Sequence, residues 1–387
     1  MTPNDLELYI HIPFCVRKCA YCDFLSFPSS DGDKALYVDR LTEEIRCRWE
    51  REKEPVRTAT VFIGGGTPSV LPAASIRTIL ETVRETYGLP EGTEVSVEVN
   101  PGTVTEEKLR VWKDAGINRI SFGCQSMDDE ELKLLGRIHT VRDFLENYQM
   151  ARKLGFEEIN VDLMSALPGQ SLDAWERTLR KAASLQTEHI SAYSLIIEEG
   201  TPFGEKYTGR PELLPDEETD RAMYERTAEI LGDCGFAQYE ISNYAKPGHA
   251  CRHNVGYWTG VPYQGFGLGA SSYRENTRYK NTDVMREYLG FVSEGGSAGS
   301  SEFPEREKEI LTEADLRAEF MILGLRLTNG VSSREFEERF GAGLDEVYGS
   351  VIRKYRSLGF LETEGDRVRL NRKGLSVSNT IMAEFLP

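Results

Sequence analysis

Three thiols within eight residues constrain this chain more than anything else in it. Cys15-Val16-Arg17-Lys18-Cys19-Ala20-Tyr21-Cys22 is spaced C-x3-C-x2-C and lies close behind the apolar run Leu8-Tyr9-Ile10-His11-Ile12-Pro13-Phe14. Thiolates are soft ligands that suit iron–sulfur clusters, copper(I) and zinc. A four-iron cube has four corners, and this loop fills three of them. The next residues, Asp23 and Phe24, offer no fourth thiolate. One iron therefore stays open for a non-protein ligand, as catalytic metal sites require. A zinc site and a disulfide are the alternatives. Structural zinc uses paired cysteine or cysteine–histidine sets, and no second set follows here. The expectation is a [4Fe-4S] cluster on Cys15, Cys19 and Cys22.

Behind the loop, strand-like and helix-like stretches alternate as far as about Gly200. The strands read as Leu8–Phe14, Thr60–Gly64, Val95–Asn100, Arg119–Gly123, Glu158–Leu163 and Ile190–Ile196. Helical patterns fall between them at Leu36–Arg48, Ala74–Tyr87, Glu106–Ala115, Val141–Leu154 and Leu172–Leu185. Six βα units in a row argue for a parallel α/β sheet. Periodicity does not separate an open doubly wound sheet from a barrel, but in both ligands gather at the carboxyl ends of the strands.

Three segments result: residues 1–200; residues 201–300, a segment expected to cap the first; and residues 301–387. The middle segment is punctuated by Pro202, Pro211, Pro215, Pro247 and Pro262, with one clear helix at Glu217–Leu231. Gly235 is available for a left-handed cap after it. Ser293–Glu302 is rich in Gly and Ser and reads as a surface loop or short linker. The last segment reads as three helices, then a two-strand ribbon, Phe360–Glu362 and Val368–Leu370. A final helix is expected near Val377–Phe385. That order looks like a winged-helix module. From Glu305 onward it holds 13 basic and 15 acidic side chains, too balanced for a DNA reader. A lid or docking role is expected instead.

The net charge of −17 argues against a sequence-independent grip on nucleic acid and against holding an anionic membrane by charge. Seven cysteines, three clustered and four scattered, are not a disulfide framework and fit a reducing compartment. The N-terminus is polar, and no apolar run approaches the length of a membrane span. A soluble cytoplasmic protein is the expectation.

Further positions carry chemistry. The second strand ends in Gly64-Gly65-Gly66-Thr67-Pro68, where bare backbone lets a ligand approach without Cβ interference. Glu98, in a buried strand, is costly unless paired. Gln125, Arg137 and Asp162 fall at or just after the ends of later strands. His11 reads as a hydrogen-bonded core histidine. Cys47, Cys124 and Cys234 are not read as ligands. The stretch His249-Ala250-Cys251-Arg252-His253-Asn254-Val255-Gly256-Tyr257-Trp258 is dense in heme-compatible groups. His and Cys are axial ligands, Tyr and Trp can stack on a porphyrin, and Arg252 could pair with a propionate.

The loop C-x3-C-x2-C after a strand resembles the signature of radical S-adenosylmethionine (SAM) enzymes. The wider string from Leu8 to Phe24 resembles the oxygen-independent coproporphyrinogen dehydrogenase group, and within it the heme chaperones of the HemW type. The resemblance implies a partial (β/α)6 barrel in an α/β fold, with the winged-helix-like α+β module at its C-terminus. It implies SAM on the open iron, bound through Tyr9, Tyr21, Gly65, Gly66, Thr67, Glu98, Gln125, Arg137 and Asp162. Reduction of such a cluster can cleave SAM to a deoxyadenosyl radical. The motif His-Asn-x-x-Tyr-Trp is similar to one of the HemW-type proteins. It implies an exposed heme face built from His253, Cys251, Tyr257 and Trp258. The implied partners are heme, a heme-accepting apoprotein and a reductant for the cluster, with no nucleic acid. The alternative is the dehydrogenase activity itself, oxidative decarboxylation of coproporphyrinogen III to protoporphyrinogen IX. The dehydrogenases carry a further cysteine where this chain has Phe24, and an N-terminal extension of which only eight residues precede Tyr9 here.

Overall fold

In a computed structural model that describes residues 4–293 and 305–387, the six parallel strands lie side by side in chain order. They are β1 (Asp5–Ile12), β2 (Arg57–Gly65), β3 (Glu94–Val99), β4 (Arg119–Gln125), β5 (Glu158–Ser165) and β6 (His189–Ser194). Every adjacent pair is parallel, from Leu8 opposite Val61 at one side to Asp162 opposite Ser191 at the other. The helices between them are α1 (Asp31–Glu50), α2 (Ala73–Glu85), α3 (Glu106–Ala115), α4 (Asp129–Leu134), α5 (Val141–Lys153) and α6 (Leu172–Ala183). The alternation predicts this parallel α/β sheet, and the resemblance its form as a partial barrel.

Local chemistry sets the element ends. Thr140 and Asp143 form a reciprocal capping box at the start of α5. Thr105 caps α3, which stops at left-handed Gly116. Strand β1 ends one residue before Pro13, which has no N–H for the ladder. Valine and isoleucine of the strands pack against Trp112, Trp175 and the helix faces in one core. The indole of Trp175 also donates to Thr227 Oγ1 at 2.9 Å, locking α6 to the helix α8 described next.

Residues 201–300 differ from the expected cap: their strands extend the same sheet at both edges. After α7 (Pro202–Tyr207) and α8 (Glu217–Asp233), β8 (Asn243–Ala245) joins beyond β6, antiparallel to it, and β7 (Ala237–Gln238) pairs antiparallel with β8 outside it. Gly235 has φ 85°, the left-handed cap expected after α8. Helix α9 (Arg252–Thr259) then crosses to the other edge. There β9 (Tyr263–Phe266) pairs parallel with β1, and β10 (Ser271–Arg274) and β11 (Thr277–Asn281) follow. Helix α10 (Met285–Ser293) precedes the undescribed stretch, so the expected loop Ser293–Glu302 lies outside the described residues apart from Ser293. The edge strand β12 (Glu305–Ile310) completes a 12-stranded sheet.

The C-terminal module has its own core around Phe336, Ile352 and Phe385. Its helices are α11 (Glu313–Gly324), α12 (Ser333–Phe340) and α13 (Leu344–Ser357), with short α14 (Arg372–Leu375) and α15 (Ser378–Met382) at the end. The ribbon is β14 (Leu361–Glu364) with β15 (Arg367–Leu370), and two-residue β13 (Val331–Ser332) adds a third strand. Among the described residues no helix is long and apolar enough to cross a membrane.

Candidate functional site

A cavity of about 540 Å³ runs along the inside of the partial barrel. Cys15, Cys19 and Cys22 line it at one end, with Gly65, Gly66 and Thr67 beside them. Arg119, His189 and Cys251 line the other end. The cysteine loop is pinned across its neck. The amide of Cys15 donates to the Phe27 carbonyl at 3.2 Å and Phe27 N–H to the Pro13 carbonyl at 3.0 Å. His11 sits 3.0 Å from the Leu25 carbonyl through Nε2 and 3.0 Å from the Tyr9 hydroxyl through Nδ1, the core role expected of it. Further out, Ala20 N–H donates to Leu135 O at 3.0 Å and Arg17 to Gly136 O at 2.8 Å. Gly136, at φ 74°, lets that turn come close: a Cβ there would lie 3.3 Å from Ala20 N.

The loop's geometry suits a cluster. All three thiols are free and face one cavity. Yet among the described residues no three His, Cys, Asp or Glu side chains converge to hold a single metal ion. A cube takes each thiolate at a separate corner, and three thiols on one cavity suit three of the four corners. Burial pushes the Cys15 and Cys22 thiols up, so a metal must displace their protons.

Strand ends bring the polar side chains in. The backbone N–H of Gly65 donates to Glu98 Oε2 at 2.9 Å. Glu98 and Asp162 lie near enough to repel. Burial first, and then Asp162, pushes the Glu98 carboxyl up to about 8, partly countered by the Gly65 N–H. Asp162 is also raised by burial, against hydrogen bonds from Asn160, Ser191 and Ser121. Gln125 takes a left-handed φ of 70° at the end of β4 and accepts from the Tyr193 hydroxyl at 3.0 Å. Arg137 donates to Asn100 Oδ1 and Gly123 O, both at 2.6 Å, and reaches Cys19 Sγ at 3.5 Å. Its Nε is buried with no partner among the described residues, an open donor on a residue of the cavity wall. Asn100 in turn donates to Thr67 Oγ1 at 2.7 Å.

Of the residues expected around SAM, all but Tyr9 line this cavity. Tyr9 stands behind the wall: its hydroxyl lies 3.0 Å from His11 Nδ1, and its ring packs on Phe62, which lines the cavity. Asn100 and Tyr193 complete the polar wall and were not singled out from the sequence. Their positions at the ends of β3 and β6 were the available signal.

The structure does not bring the four residues of the expected heme face to one surface. They lie on or beside α9, whose successive residues fan around the axis with about 3.6 per turn. Cys251 faces the barrel cavity, while Tyr257 and Trp258 line a separate one of about 180 Å³ against the C-terminal module. His253 is 1% exposed and lies flat on Phe62. Its ring nitrogens are engaged by Thr60 Oγ1 at 2.7 Å and the Tyr257 hydroxyl at 3.1 Å. Burial pushes its pKa down to about 3. Glu7 Oε2 stands 3.9 Å away, yet burial holds that carboxyl up at about 9, so both groups are neutral and no ion pair forms. Glu94 accepts from the N–H groups of Arg252 and His253, both at 3.1 Å, and caps the positive end of α9. The motif thus ties α9 to the barrel wall.

A parallel partial barrel with three free thiols at its carboxyl end and this C-terminal module defines a radical SAM protein. Residues 9–182 match the Radical SAM superfamily and residues 311–377 the HemN C-terminal domain. The chain is 36% identical to the heme chaperone HemW of Bacillus subtilis over 98% of both chains. It is 35% identical to that of Lactococcus lactis, over 99% of this chain and 97% of the relative. The chain belongs to the HemW family. The coproporphyrinogen III oxidase HemN of Escherichia coli, a radical SAM enzyme, shares its fold at a TM-score of 0.85 and 22% identity, over 99% of this chain and 90% of that one. The radical SAM domain implies a [4Fe-4S] cluster and SAM.

Proposed function

We propose that this protein is a cytoplasmic heme chaperone that carries a [4Fe-4S] cluster and SAM and hands heme to an acceptor apoprotein. The observation that carries this reading is similarity along the whole chain, at 36% and 35% identity, to proteins named heme chaperones. Cys15, Cys19 and Cys22 hold the cluster and leave one iron to SAM. The bare backbone of Gly65 and Gly66, with Thr67, receives the amino-acid end of SAM. Glu98 and Asp162 face its cationic and hydroxyl groups, and Gln125, Tyr21 and Arg137 close the wall. The open Nε of Arg137 supports that fit, and Gly66 lets the end of β2 pack on the neck of the cysteine loop, where a Cβ would lie 2.7 Å from the Phe14 carbonyl. When bound, the cluster and SAM supply one-electron chemistry, for which the partner is an external reductant. The C-terminal module serves as a lid or docking unit and reads no nucleic acid.

The test pairs two anaerobic assays on reconstituted protein. Hemin titration followed by absorbance is expected to show saturable binding. Incubation with coproporphyrinogen III, SAM and reductant is expected to yield no protoporphyrinogen. Turnover without hemin binding would make the chain a dehydrogenase instead.

A further inference from the structure

The rim of the barrel cavity is built unlike its wall. Among the lining residues only Arg17, Lys18, Asp23, Phe24 and Ile196 are exposed. Phe24 is 61% and Ile196 68% exposed, two large apolar side chains at one opening. Val16 of the same cysteine loop is 56% exposed. Apolar groups gathered at a cavity mouth mark a surface that something covers. The charge there also runs against the rest of the molecule. Two cations face one rim carboxylate, Asp23, in a chain of net charge −17. Half-buried Glu198, past the end of β6, also lines the cavity. Arg17 spends Nη2 on the Gly136 carbonyl, which holds its stem in place.

We infer that this mouth is the docking face for the heme cargo, an inference that rests on the function proposed above. Heme is a flat apolar macrocycle edged by two carboxylates. Phe24 and Ile196 supply an apolar face for the ring, and Arg17 and Lys18 supply partners for the propionates. No histidine stands on the rim among the described residues, so the rim leaves the iron to the acceptor's own ligand, as suits a cargo that must be released. Phe24 lies two residues after Cys22, so cargo at this site lies over the cysteine loop and closes the cavity behind it. Heme and SAM then hinder each other's escape. Any change this makes in equilibrium affinity is reciprocal.

The experiment uses the full chain, anaerobically reconstituted, with SAM bound. Hemin is titrated by absorbance into wild type, Phe24→Ser, Ile196→Ser, the double variant and Arg17→Glu/Lys18→Glu. Each variant is first checked for iron content and SAM affinity. Both apolar side chains are exposed, so their loss spares the core. Ile196→Ser lies outside the cysteine loop and serves if Phe24→Ser disturbs the cluster. The double variant is expected to bind hemin about tenfold more weakly or worse, and charge reversal to weaken it as well. Hemin is expected to slow SAM dissociation from wild type, and the double variant to lose that effect. Variants that keep the cluster and bind hemin as wild type does would place the cargo elsewhere and overturn the inference. Wild type that binds no hemin would overturn the proposed function itself, a distinguishable result.

Discussion

Arg137 joins the parts of the site, reaching Cys19 on one side and Asn100 and Gly123 on the other. Replacing it with Ala is expected to weaken SAM binding by about 1.5–3 kcal/mol, the cost of a charged hydrogen bond, as read by equilibrium dialysis. Unchanged affinity would remove Arg137 from the SAM site. At Cys19 the expectation is absolute: Cys19→Ala loses the brown cluster chromophore and Cys47→Ala keeps it. Iron content measures this directly. Glu98 gives the site a pH dependence. With its carboxyl pushed up to about 8, the unliganded protein holds it protonated at neutral pH. SAM brings positive charge, which favours the carboxylate, so binding releases a proton. Affinity is therefore expected to rise as the pH is raised from 7 towards 9 and to fall below. Glu98→Gln should flatten the profile. A profile in wild type that is already flat would show that Glu98 does not face the cation.

Helix α9 departs furthest from what its sequence predicts. Its sequence is dense in heme-compatible side chains, yet it packs into the barrel wall, with Glu7, Thr60, His253 and Tyr257 in one buried neutral group. Gly256, inside the helix, has no Cβ because one there would collide with the Glu7 carboxyl. This group sets two edges of stability. Glu7 binds its proton up to about pH 9 in the folded chain but only to 4.5 in the reference state, so stability falls as pH rises through that window. His253 stays neutral down to about 3 against an ordinary 6.5, so stability also falls as pH drops through that window. Glu7→Gln is expected to raise the melting temperature at pH 9 relative to wild type and leave it nearly unchanged at pH 5. An equal shift at both would assign the effect to packing. The six parallel strands were legible because β-branched and apolar residues recur in short stretches between helical patterns, as a run at Thr60–Ile63 and at every second position in Val95–Val99. The edge strands were not. β12 reads Glu-Arg-Glu-Lys-Glu-Ile and is mostly exposed, so it carries no period-two apolar signal. β7 and β8 hold two and three residues, too few to show a period, and β8 is set by pairing with β6, distant in sequence. Side-chain direction was equally hidden: the spacing of Cys251, His253 and Tyr257 does not reveal which cavity each meets.

At the scale of the whole molecule, one sheet carries both the cluster loop and the segment that continues it, and the C-terminal module closes against the sheet edge. Tyr257, Tyr263 and Tyr273 meet Phe320 and Leu323 there, and Arg278 pairs with Glu319 across the boundary at 2.9 Å. Under the proposed function, the radical SAM half is the platform for SAM and cargo together, and the C-terminal module the docking unit. The most direct test of that account is anaerobic transfer of hemin from the reconstituted, SAM-loaded protein to an apo-hemoprotein, followed by the acceptor's own absorbance spectrum. The account predicts that the acceptor gains its holo spectrum from this protein, and that the Cys19→Ala variant does not support the transfer at the wild-type rate. Hemin retained by the protein, or transferred no faster than from free hemin, would contradict it.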